Sequence, residues 1–144
     1  MDHPEPHPTE ALEQALSAHL EALRVATHCY DHEHAKEIAG ELATYGQPDE
    51  FRLEGLFALG ELAEQEHEFD EALAFYEEAR QLAVSTESYE RAADIQRSVG
   101  WLYRNQLGDR ERAREAFMAR NEYSRAAKRF PPRRFGRLVS HDDD

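Results

Sequence analysis

The chain has 144 residues, 40% hydrophobic and 33% charged, with a formal net charge of −13. That length suits one domain with a core of its own, and abundant Ala, Leu, Glu and Arg beside only 7 Gly and 6 Pro favours long helices over sheet. Cys29 is the single cysteine, which excludes an internal disulfide; with no signal-like start and no run of about 18 apolar residues, the expectation is a soluble, cytoplasmic protein without a membrane span.

His3-Pro4-Glu5-Pro6-His7-Pro8 resists helix, because each proline biases the residue before it away from helical angles. Residues 1–9 therefore read as a disordered leader ended by Thr9 as N-cap. Apolar residues then recur at helical spacing through Leu12, Ala15, Leu16, Leu20, Leu23 and Ala26, predicting a first helix over 10–28. Asp31 is placed to cap a second helix through Ala35, Ile38, Leu42 and Tyr45, which Gly46 and Pro48 end. A third helix is predicted over about 49–66 and a fourth over about 69–84, the latter carrying Phe69, Ala72, Tyr76 and Ala79. Ser85 and Thr86 are expected to open a fifth helix with Tyr89, Ala92, Ile95, Val99 and Leu102 on its apolar stripe. Leu107-Gly108-Asp109 reads as a stop followed by a cap, and a sixth helix runs through Ala113 and Phe117 to about 129. Pro131-Pro132 ends regular structure, leaving 130–144 as a basic tail with an acidic terminus.

Within this succession one pattern occurs twice. Leu56-x-x-Leu59-Gly60, then Ala72, Tyr76 and Ala79, is echoed by Val99-Gly100-Trp101-x-Tyr103, then Ala113 and Phe117. Such a period signals stacked helical hairpins in which small residues mark the close approach of paired helices and large ones fill the space around it. The pattern resembles the tetratricopeptide repeat family, most closely in Leu56-Leu59-Gly60-Ala63-Ala72-Tyr76-Ala79 and well in Val99-Gly100-Tyr103-Gly108-Asp109-Ala113-Phe117. The spacing exceeds the family's usual period of about 34, so the likeness is to its long-repeat forms, such as those of kinesin light chains and bacterial peptide-sensing regulators. The third hairpin departs in having one extra residue before Gly108 and Arg120 where a small residue is expected; the first is degenerate, with His19 and Leu23 replacing the aromatic and the glycine. The resemblance implies an all-α, right-handed α-solenoid of three antiparallel hairpins over residues 10–129. It also implies a non-catalytic module that binds a peptide or helix of another protein in a concave groove.

In that family the first helix of each hairpin lines the groove. Transferred onto this chain, the groove positions are Leu20 and Arg24 in the first hairpin, Phe57, Glu61 and Glu64 in the second, and Arg97, Trp101 and Arg104 in the third. Leu20, Phe57 and Trp101 would anchor a partner while the charged residues select it. The positions that hold a terminal carboxylate in the family's co-chaperones are here Leu20, Arg24, Ala58, Asp94 and Ser98, a set that disfavours such a clamp. With Glu54, Glu61, Glu64 and Asp94 nearby, a basic or apolar segment is the expected partner.

Charge divides the chain. Residues 1–100 hold 23 acidic and six basic residues, and 101–144 hold seven acidic and 11 basic. This invites a self-assembling alternative, with the basic sixth helix or the tail, through Arg133, Arg134, Phe135 and Arg137, set against the acidic two-thirds to build a homo-oligomer. A second alternative, a nucleic-acid accessory using the basic sixth helix, is opposed by the charge of the rest. His28, Cys29, His32 and His34 cluster in sequence, yet a helix cap at Asp31 would point them apart, so no metal site is expected. No phosphate loop, nucleophile elbow or cofactor motif is present, so neither enzyme activity nor a cofactor is expected.

Overall fold

A computed structural model describes residues 8–44 and 49–130; the leader to His7, residues 45–48 with Tyr45, Gly46 and Pro48, and the tail from Pro131 lie outside the described residues. Six α-helices follow in order: α1 Pro8–His28, α2 His32–Thr44, α3 Asp49–Gln65, α4 Phe69–Ser85, α5 Tyr89–Trp101 and α6 Arg110–Arg129. There are no strands among the described residues, and each helix packs chiefly on its neighbours in sequence. The fold is thus an all-helical, repeat-like stack. The described part of α1 already includes Pro8 and Thr9, so Thr9 lies within the helix and does not cap it.

Three of the turns are copies of one another. Tyr30, His67 and Glu87 adopt φ near +60°, each after a helix end closed by two backbone bonds. In the first, Tyr30 N–H donates to Thr27 O and Asp31 N–H to Ala26 O; His67 and Glu68 repeat this on Glu64 and Ala63, and Glu87 and Ser88 on Val84 and Ala83. This left-handed cap satisfies carbonyls that the helix would otherwise leave open. It also corrects the placement of Ser85 and Thr86. Their hydroxyls donate back to Leu82 O at 3.0 and 2.9 Å, so they close α4, and α5 begins three residues later at Tyr89.

The fourth turn absorbs the extra residue. Leu102–Leu107 form a π-helical turn that continues α5, Gly108 takes the left-handed conformation at φ +64°, and Asp109 N–H reaches back to Tyr103 O at 2.9 Å. That bond spans one residue more than its counterparts, so the insertion is stored in the last turn of the helix. Asp109 then caps α6 by accepting Arg112 N–H at 3.0 Å, as Asp31 caps α2 through His34 N–H at 3.3 Å.

The repeated glycines serve a purpose different from small-on-small packing. A Cβ at Gly60 would lie 2.6 Å from Tyr76 Cε1, and one at Gly100 would lie 2.6 Å from Phe117 Cε1. Each glycine makes room for the aromatic ring that follows it on the paired helix. The sequence reading overlooked Gly55, whose absent Cβ lets α3 approach the backbone of α2, at 2.5 Å from Ala43 N and 2.7 Å from Ala39 O. Helix α3 is the spine of the molecule: Phe51 and Leu62 join Leu23, Ile38 and Leu42 in one core, while Leu53, Leu56 and Ala63 join Tyr76, Ile95 and Leu102 in a second.

The two repeats differ at their outer surface. Tyr76 and Ala79 are wholly buried in the core that runs into α5. Their counterparts Phe117 and Arg120 lie on α6, where the Arg120 guanidinium sits 5.9 Å from the Phe117 ring centroid and Trp101 meets the same ring edge-on at 5.6 Å. The arginine that breaks the repeat pattern therefore lies beside the aromatic ring of its own helix.

Candidate partner-binding groove

Spacings of three, four and seven residues put Leu20, Arg24 and Thr27 on one stripe of α1, and Glu54, Phe57, Ala58 and Glu61 on one stripe of α3. These stripes, with Arg91 of α5, enclose a hollow of about 470 Å³. A second hollow of about 740 Å³ adjoins it and shares Leu20, Glu54 and Arg91; it extends past Tyr89, Asp94 and Arg97 of α5 to Arg120, Lys128 and Phe130 at the end of the chain's described part. Together they make a groove across α1, α3 and α5 toward the end of α6.

Arg91 organises its floor. The guanidinium donates through Nε and Nη2 to both carboxylate oxygens of Glu54, at 2.8 and 2.6 Å, and through Nη1 to Asp94 at 2.9 Å. It also lies 4.8 Å from the centroid of the Phe57 ring. A planar fork satisfied on two sides and stacked on a third ties α3 to α5 in one geometry. Burial opposes its charge, but Glu54 and Asp94 outweigh that and hold it firmly protonated.

Glu61 is the groove's spare anion. Among the described residues no cation pairs with it, because Arg91 is engaged with Glu54 and Asp94 and Arg24 with Glu21 at 2.6 Å. Its side chain keeps an exposed face, yet the protein packed around the carboxyl lifts its pKa; Arg91 pulls the other way, and Glu54 and Glu64 add to the rise. A carboxylate in that position gains from an incoming cation.

Of the residues expected to bind a partner, Leu20, Arg24, Phe57 and Glu61 are brought together in the smaller hollow and Arg97 lines the larger. Glu64, Trp101 and Arg104 line neither. Glu64 accepts the Tyr76 hydroxyl at 2.8 Å, so it braces the α3–α4 pair, and burial and this bond both raise the Tyr76 pKa. Trp101 is 44% exposed but packs on Phe117, with the Arg104 guanidinium 5.1 Å from its ring centroid. Arg91 is the groove residue the sequence reading missed, since an ion pair 37 positions apart leaves no local signal. Arg133, Arg134, Phe135 and Arg137 lie outside the described residues.

Cys29 is exposed at the α1–α2 turn, and no group of three metal-ligating side chains gathers among the described residues. No helix is long and apolar enough to cross a membrane among the described residues. Comparisons with known protein families, with curated proteins and with solved structures find no match to this chain.

Proposed function

We propose that the protein is a non-catalytic adaptor of the tetratricopeptide kind, which holds a peptide or helix of a partner protein in the groove across α1, α3 and α5. The observation that carries this reading is the juxtaposition of apolar Leu20 and Phe57 with Glu61, a carboxylate whose neighbouring arginines are already engaged. Such a surface takes a segment that alternates basic and apolar side chains: the cation meets Glu61 and the apolar groups cover Phe57. Arg97, lining the neighbouring hollow, adds a place for an acidic residue further along the same partner. A phosphate-binding role for α6 is less favoured, because the net charge of −13 repels phosphate and two of the helix's cations already have partners, Arg112 at Asp109 and Tyr103 and Arg120 at Phe117.

The test is affinity capture from native lysate with cross-link mapping, run on the wild type and on Leu20→Glu and Glu61→Lys. The expected outcome is a partner cross-linked to α1 and α3 that both substitutions release. Cross-links confined to α6, or a partner retained by both variants, would refute the reading.

A further inference from the structure

The groove opens beside the point where the described chain stops. Phe130, 50% exposed, lines the larger hollow and packs on Tyr89 with ring centroids 6.0 Å apart, so the described chain stops at the hollow's wall. Those residues read Pro131-Pro132-Arg133-Arg134-Phe135-Gly136-Arg137-Leu138-Val139-Ser140-His141 and three aspartates. They contain the alternation of cations and apolar groups that the α3 wall is built to accept.

Length permits it. Glu50 lines the same hollow as Phe130, and Glu61 lies 11 residues further along α3, about 16 Å at 1.5 Å per residue. From Phe130 to Arg137 there are seven residues, which reach roughly 23 Å when extended and so leave about 7 Å for the step from Phe130 across the hollow to α3. We propose that residues 131–144 of the same molecule occupy the groove, with the arginines of this segment against Glu61 and the side chains of Phe135 and Leu138 against Leu20 and Phe57. The protein then carries its own competitor, and a partner enters by displacing it. This rests on the reading of the groove as a peptide-binding site.

The size of the effect follows from the tether. A short flexible link supplies an effective concentration of about 1 mM, so a segment whose intrinsic Kd is about a tenth of that weakens binding of any competing peptide about tenfold. The experiment uses the full chain and its Arg133→Glu/Arg134→Glu/Arg137→Glu variant, with a fluorescent synthetic peptide of residues 131–144 as probe. The variant should bind the peptide about tenfold more tightly than the wild type. Amide resonances of Leu20, Phe57, Glu61 and Arg91 should differ between the two proteins and stay unchanged on dilution.

Equal peptide affinity for both proteins, or no binding to the charge-reversed one, overturns the proposal. So does a mass that rises with concentration in the wild type alone, which would seat the segment in a second copy. If wild type and tail variant capture the same lysate partner equally and Leu20→Glu releases it from both, the tail assignment fails while the groove reading stands. If Glu61→Lys and Leu20→Glu alter neither peptide nor partner binding, both fail.

Discussion

Replacing Gly60 with alanine puts a methyl group where the Tyr76 ring already lies. The added carbon would sit 2.6 Å from Cε1 and 2.7 Å from Cδ1, against the 3.5–4.0 Å of an ordinary carbon contact, so the ring must withdraw by about 1 Å. It has nowhere to go: Tyr76 is wholly buried, lies 5.7 Å from the Phe57 ring and donates its hydroxyl to Glu64. Overpacking of this kind costs about 1–3 kcal/mol, offset by about 1 kcal/mol from alanine's better helix propensity. Gly40 in α2 supplies the control, because a Cβ there meets nothing within 4 Å. Gly40→Ala should therefore stabilise by roughly 0.5–1 kcal/mol. The same substitution at the two sites should differ by about 1–3 kcal/mol in urea denaturation, with m unchanged, and the deficit at Gly60 should shrink in a Gly60→Ala/Tyr76→Ala double mutant. Agreement of the two single variants within about 0.5 kcal/mol would refute the account of the repeated glycine. Gly100→Ala should fall between them, since Phe117 is only partly buried and its ring can shift.

Three other outcomes follow from the turns and the groove. Tyr30 is 83% exposed and held at φ +60°, a conformation that costs an L-residue about 1 kcal/mol, so Tyr30→Gly should raise the melting temperature by a few degrees despite glycine's entropy. Deleting exposed Asn105 should convert the π-helical turn to α-helix, leaving circular dichroism at least as helical and the Asp109 cap intact; loss of cooperative unfolding would show that the insertion is structurally required. Glu61 has its pKa raised above the unfolded value of 4.5, so the folded state holds its proton more tightly. The stability this confers is complete below that value and lost as pH rises through the folded pKa. Glu61→Gln should thus raise the melting temperature at pH 7, with the gain fading toward pH 4; a gain independent of pH would contradict it.

Much of the architecture was legible because helix stops and small residues act locally. Gly108-Asp109 and Asp31 behaved as the punctuation they resemble, and the doubled spacing around Gly60 and Gly100 marked the two equivalent pairs. The extra residue before Gly108 was visible as a departure, although only the backbone reveals its storage as a wider turn. Ser85 and Thr86 misled because a hydroxyl can serve the helix behind it as well as the one ahead, and no neighbouring residue decides between them. The groove was legible on α1 and α3, where its positions follow one helical stripe. It was not legible at Arg91, whose role depends on Glu54 two helices earlier, nor at Trp101, drawn aside by Phe117.

A tower of like storeys contains no instruction for its own height, because every landing invites another. In this stack the third storey departs from the second at Arg120. Its guanidinium, 5.9 Å from the Phe117 ring centroid, puts a cation where the second storey has the methyl group of Ala79. Trading that arginine for alanine would restore the small side chain of the second storey at this position, which is where a design that adds a copy of residues 49–88 would begin.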